Sequence, residues 1–170
     1  MTDQRPDTSP ADPWAEIRPY RDDEVAEVLA RLAYDPELLT ALTRFRLPRL
    51  SRVMPRLSST LASLAIRREV RGVTSVNDFQ MRIASYMERM IRTTTDDFQV
   101  EGLDALDNDT AYLFIGNHRD ISLDPAFVNY ALYLAGRDTV RIAIGDNLLK
   151  KPYVTDLMRL NKSFIVPRSA

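Results

Sequence analysis

The spacing of apolar residues along this chain changes character once, near residue 97. Before that point apolar side chains recur every three or four positions: Val25, Val28, Leu29 and Leu32; Leu38, Leu39, Leu42 and Phe45; Leu50, Val53, Leu57, Leu61 and Leu64; Phe79, Ile83, Tyr86, Met87, Met90 and Ile91. That is the period of helices with one apolar face. Beyond it, apolar residues come in short runs at Phe98–Val100, Ala111–Ile115, Val140–Ile144 and Ser163–Val166. Helix-like stretches at 125–135 and 152–159 separate the later runs. Short apolar runs read as buried strands, and their alternation with helices argues for a sheet covered by helices. The expected fold is α/β: a mixed or parallel sheet flanked by helices, with a helical N-terminal portion. Three regions are expected, namely a flexible arm over 1–20, helices over 21–95, and an α/β portion over 96–170. The arm rests on Pro6, Pro10, Pro13 and Pro19 and the lack of any apolar period.

Punctuation along the chain supports these elements. Asp22 and Asp23 are candidate caps for the first helix, and Asp35-Pro36 combines a capping acid with proline in a first turn. Pro55 should break the stretch 49–69 near its start. Ser75-Val-Asn-Asp78 has the form of a capping box with Asp in place of Glu. Pro125 and Pro152 stand where later helices should begin. The methionine-containing stripe of 79–91 reads as core packing, with lipid contact as the alternative.

Composition excludes several kinds of chemistry. At 170 residues, 45% hydrophobic and 28% charged, the chain is a globular protein with room for a core. It has no cysteine, hence no disulfide scaffold, thiol nucleophile or Cys-ligated metal, which fits a reducing compartment. Its single histidine cannot build a multi-His metal site. The longest apolar stretches fall far short of the ~20 residues that span a bilayer, and the acidic start is unlike a secretory signal. A cytoplasmic location is therefore expected, with any membrane contact peripheral and on the inner face.

Charge is unevenly distributed. Residues 1–35 hold nine acidic residues against four arginines. Residues 44–71 hold Arg44, Arg46, Arg49, Arg52, Arg56, Arg67, Arg68 and Arg71 against Glu69 alone. Two readings of this basic segment stand side by side: a surface for anionic lipid, or a solvated helical face paired with the acidic N-terminal segment. Nucleic acid is not expected as a partner, since only Phe45 interleaves an aromatic ring among these arginines.

The chemistry centres on Phe114-Ile-Gly-Asn-His-Arg-Asp-Ile-Ser-Leu-Asp-Pro125. His118, the lone histidine, falls between an apolar run and a helix start, where α/β sheets place their ligands. A histidine acting as a base needs a carboxylate on its other ring nitrogen, and Asp120 and Asp124 are both near in sequence. Ser122 is a weaker candidate nucleophile, because no Gly-x-Ser-x-Gly elbow surrounds it.

Asn117-His118…Asp124 after an apolar run resembles the first block of the glycerol-phosphate and lysophosphatidic acid acyltransferase superfamily: His, four residues, Asp. Phe164-Ile-Val-Pro-Arg168 resembles that family's second block, an apolar strand ending in arginine. The resemblance covers roughly 97–168. It implies that His118 deprotonates an acceptor hydroxyl, that Asp124 orients His118, and that Arg168 holds the acceptor phosphate. It also implies an acyl-CoA or acyl-carrier protein as co-substrate, with no further cofactor and no metal. Lys150, Lys151 and Lys162 add positive charge suited to an anionic acceptor, and a solvated face explains them equally well.

Two departures stand against that family pattern. Five residues separate His118 from Asp124 instead of four; alignment by the helix start selects Asp124, with Asp120 as the other partner. The family's third block, a Pro-Glu-Gly motif, is absent, so the expectation is a fragment with little activity of its own. A lipid- or partner-binding module without turnover, and a His–Asp hydrolase, are the alternative functions.

Overall fold

The computed structural model describes residues 12–46, 48–107, 109–117 and 119–168. Five helices come first: α1 (Asp22–Leu32), α2 (Pro36–Arg46), α3 (Pro48–Val53), α4 (Pro55–Glu69) and α5 (Val76–Thr94). Then follow α6 (Leu123–Leu134), β1 (Ile142–Gly145), α7 (Pro152–Leu160) and β2 (Ser163–Val166). The fold is α/β with a helical N-terminal portion, as the apolar spacing predicts. Among the described residues no helix is long and apolar enough to cross a membrane.

Local signals set most helix boundaries. Asp35 Oδ1 accepts from the Leu38 amide at 2.7 Å and starts α2. Pro48, Pro55 and Pro152 each occupy the first position of a helix, where a missing N–H costs nothing. Pro55 separates α3 from α4, since it could not continue the helix. Ser75 Oγ accepts from the Asp78 amide and Asp78 Oδ2 from the Ser75 amide, both at 3.0 Å, closing the capping box at α5. Asp22 reaches from the start of α1 to the Val76 amide at 2.8 Å, so one acid links the two helix starts.

One core joins both halves of the chain. Val25, Val28, Leu29 and Leu32 of α1 are buried against Leu38, Val73, Val76, Phe79 and Leu160. Tyr153 and Leu157 of α7 pack on this cluster. β1 and β2 are parallel, with Ile142 opposite Ser163 and Gly145 opposite Val166, and α7 is the crossover between them. Holding α7 therefore holds the sheet.

A charged clamp reinforces that packing. Arg31 grips the buried Asp156 through Nε and Nη2, both at 2.9 Å, and the Tyr20 hydroxyl donates to the same carboxylate at 2.6 Å. Burial raises the Asp156 pKa, but Arg31 and Tyr20, with Arg159 nearby, outweigh it and hold the carboxyl below its ordinary range. Burial, and then the bond to Asp156, push the Tyr20 phenol up to about 12.

Three expectations change. Residues 12–20, expected as part of a flexible arm, are tied down: Arg159 donates to the carbonyls of Arg18 and Ala15, and the Ile165 amide donates to Ile17 O at 2.8 Å. Buried Arg159, not any apolar period, anchors this segment; residues 1–11 lie outside the described residues. Phe98–Val100 is not a strand, and Phe98 instead sets its ring 5.4 Å from Phe127 and 6.0 Å from Tyr130 of α6. Ala111–Ile115 is neither a strand nor buried. Its exposure alternates, at 42% for Tyr112, 85% for Leu113, 42% for Phe114 and 87% for Ile115, as in an extended chain. An extended run becomes a strand only where a neighbour takes its amides and carbonyls, and among the described residues the sheet is β1 with β2 alone.

The clamp and the core make separable contributions to stability. Leu160→Ala should cost about 3 kcal/mol by denaturant unfolding, because Leu160 is fully buried. Asp156→Asn should cost about 2 kcal/mol at neutral pH, leaving Arg31 without its charged partner. The Asp156 pKa is lower in the folded state, so this stabilisation is complete above about pH 5 and is lost as pH falls through the folded value. The gap between Asp156→Asn and the parent should narrow in acid, whereas that for Leu160→Ala should not.

Candidate active site

The start of α6 is organised by two aspartates with different roles. Asp120 Oδ1 accepts from the amides of Ser122 at 2.9 Å and Leu123 at 2.8 Å, which caps the helix. Asp124 Oδ2 folds back and accepts from the amides of Arg119 at 2.7 Å and Asp120 at 2.9 Å. A further bond from the Asp124 amide to Asp120 O, at 3.2 Å, closes the turn. The Asp124 carboxylate is thus fixed against the backbone that directly follows position 118. It also stands in the first turn of α6, where the helix dipole favours negative charge. His118 itself lies outside the described residues.

α6 ends in a Schellman turn. The Gly136 amide donates to Tyr133 O and the Arg137 amide to Leu132 O, both at 2.9 Å, with Gly136 at φ 69°. The left-handed residue reverses the chain into β1, and Asn129 Oδ1 secures the Val140 amide at 2.9 Å. Running back along β1, the chain leaves the sheet at its carboxyl end, the side where open α/β folds bind ligands.

That end holds Arg168. Its amide donates to Asp146 Oδ1 at 3.3 Å, across from β2 to the turn after β1. The side chain lies over Gly145: a Cβ there would stand 2.9 Å from Arg168 Nε and 2.5 Å from Asn147 Oδ1. Gly145 is a neighbour of Arg168 that sequence reasoning missed, and its one signal is a glycine closing the apolar run Val140–Ile144. The nearby lysines divide. Lys151 pairs with Glu37 at 3.0 Å, and Lys162 donates to Thr139 Oγ1 at 2.9 Å, so both have structural partners. Lys150 is exposed.

Part of α5 lines a cleft against α6. Met81, Ile83 and Met87 face Ala126, Tyr130 and Tyr133 of α6 there, and Gln80, Asn129, Arg137 and Asn161 line it as well. The α6 wall begins two residues beyond Asp124. Among the described residues no cluster of three or more His, Asp or Glu side chains could hold a metal ion.

Gly145→Ala tests whether the glycine serves the site or the fold. The atoms in the way belong to side chains that can swing aside, so the melting temperature should change little. Arg168 and Asn147 should move, and a crystal structure of the variant would reveal it. An Arg168 side chain still lying over residue 145 would show that the close approach has no positional role.

A family model for acyltransferases matches residues 97–170, a span that begins past α5 and takes in Asp124, Gly145 and Arg168. No curated protein and no solved structure matches the chain. Residues 97–170 are thus similar to the acyltransferase family, that of the glycerol-3-phosphate and lysophosphatidic acid acyltransferases.

Proposed function

We propose that this protein transfers a fatty acyl group from an acyl thioester, carried by coenzyme A or a carrier protein, to a hydroxyl of a glycerol-phosphate or lysophospholipid acceptor. It would thereby serve phospholipid biosynthesis. The match to the acyltransferase family supports acyl transfer in general. One observation favours the specific roles: the Asp124 carboxylate is bonded to the amides of the two residues that follow His118.

In this reading His118 takes the proton from the acceptor hydroxyl as its oxygen attacks the thioester carbonyl. The C–S bond then breaks, and the imidazolium returns the proton to the leaving thiolate. Asp124 holds the imidazole tautomer and stabilises the imidazolium. Asp124 is chosen over Asp120 because its carboxylate turns back to the chain just after position 118, whereas Asp120 Oδ1 turns forward to the amides of Ser122 and Leu123. Arg168 offers the acceptor phosphate a planar fork of donors. The cleft between α5 and α6 suits the donor's acyl chain. No metal or other cofactor takes part in these steps.

The test is transfer from radiolabelled acyl-CoA by the protein at its natural length, with and without a lysophospholipid. Acceptor-dependent product supports the reading; release of free fatty acid without acceptor would make the protein a hydrolase. His118→Ala should lower the rate by ~10²–10⁴ with the fold unchanged. Asp124→Asn should be severe, and Asp120→Asn mild once the weaker α6 cap is allowed for. The reverse order would transfer the orienting role to Asp120. Arg168→Ala should raise the KM for a phosphate-bearing acceptor with little change in kcat.

A further inference from the structure

The arginine-rich stretch from α2 to α4 takes no part in the chemistry above, and its surroundings favour one of its two readings. Its eight arginines are all exposed, and among the described residues none makes an ion pair. Several acids of the first two helices and the segment before them are engaged elsewhere. Asp12 pairs with Arg18 and Arg21, Glu24 with Arg18, Glu27 with Arg31, and Glu37 with Lys151. Among the described residues, the acidic N-terminal segment therefore pairs within itself and not with the basic segment.

The same segment exposes apolar side chains. α3 buries no residue, and in α4 only Ser58 is fully buried. Phe45 is 86% exposed and Val53 79%, and Met54 follows at the α3–α4 junction. Leu57, Leu61 and Leu64 line one face of α4 at exposures of 43–61%. Arg68 continues that row one turn on, and Arg56 and Arg67 flank it. Apolar side chains rimmed by arginines form the pattern of a helix lying in a bilayer interface. Duplex nucleic acid would use the charge but leave the aliphatic side chains in water.

We infer that the face formed by the end of α2, α3 and the exposed side of α4 docks on an anionic bilayer. The arginines meet lipid phosphates, while Phe45, Val53 and Leu57 enter the acyl boundary. The occupant is a lipid surface, and the inference is independent of acyl transfer because it uses no residue of that site.

Co-sedimentation with phosphatidylcholine vesicles, with and without phosphatidylglycerol, reads binding without reference to catalysis. Binding should require phosphatidylglycerol and weaken as salt rises, because exposed charges are screened within about 8–10 Å at physiological ionic strength. Arg49→Gln, Arg52→Gln and Arg56→Gln should each weaken binding about fivefold, from about 1 kcal/mol per basic residue near the surface. Phe45→Ser with Val53→Ser should lower binding at all salt concentrations and leave the circular dichroism melt unchanged, since both side chains are already in water. Equal binding to neutral and anionic vesicles, or no effect of the arginine changes, overturns the inference. Binding to duplex DNA but not to vesicles overturns it too.

Discussion

The grip of α1 on α7 is the contact on which the C-terminal half depends. α7 has nine residues, too few to persist as a helix by itself. It is also the only link between β1 and β2, so a parallel pair of four-residue strands stands or falls with it. Two contacts one turn apart secure it. Leu160 is wholly buried in the α1 core, and Asp156 receives Arg31 and Tyr20. Neither could replace the other: apolar burial supplies free energy but no direction, whereas a forked guanidinium on a carboxylate fixes how α7 is turned. Arg159 then carries the clamp outward, lying 4.0 Å from the Tyr20 ring centroid and binding two carbonyls of residues 15–18.

This arrangement explains how so small a sheet is finished at one edge. The Ile165 amide, which points away from β1, donates to Ile17 O, so the N-terminal segment covers the outer side of β2. Covering an edge removes a row of unpaired groups that would otherwise recruit another chain. The acids that pair with Arg18, Arg21 and Arg31 therefore act structurally, because those ion pairs keep this cover in place. Asp12 and Glu24 are thereby engaged within the N-terminal segment, and among the described residues neither pairs with the arginines of α2–α4.

Sequence reading is strong where a signal is local and weak where it depends on a distant partner. The capping box at Ser75, the break at Pro55 and the start at Pro152 need only neighbours along the chain, and each is legible. Ser163–Val166 is legible too, because a short apolar run after a helix has few alternatives. Ala111–Ile115 has a similar apolar character but lacks a ladder partner among the described residues, and no composition reveals that. The docking of residues 12–20 is invisible in the sequence because it rests on backbone carbonyls, which every residue has. For the candidate site, the sequence offers His118, Asp124 and Arg168 as residue types in order. The packing of Arg168 over Gly145 cannot, since it joins the ends of two strands more than twenty residues apart.

The five-residue interval between His118 and Asp124 has a physical account in the start of α6. Here Asp120 takes the cap and its carbonyl receives the Asp124 amide, so residues 120–124 form one closed turn. Asp124 consequently reaches back past the cap to the amides of Arg119 and Asp120, bringing its carboxylate level with the chain just after position 118. The two aspartates therefore serve different ends: Asp120 bonds forward to the start of α6, and Asp124 bonds back to the loop that leads into it.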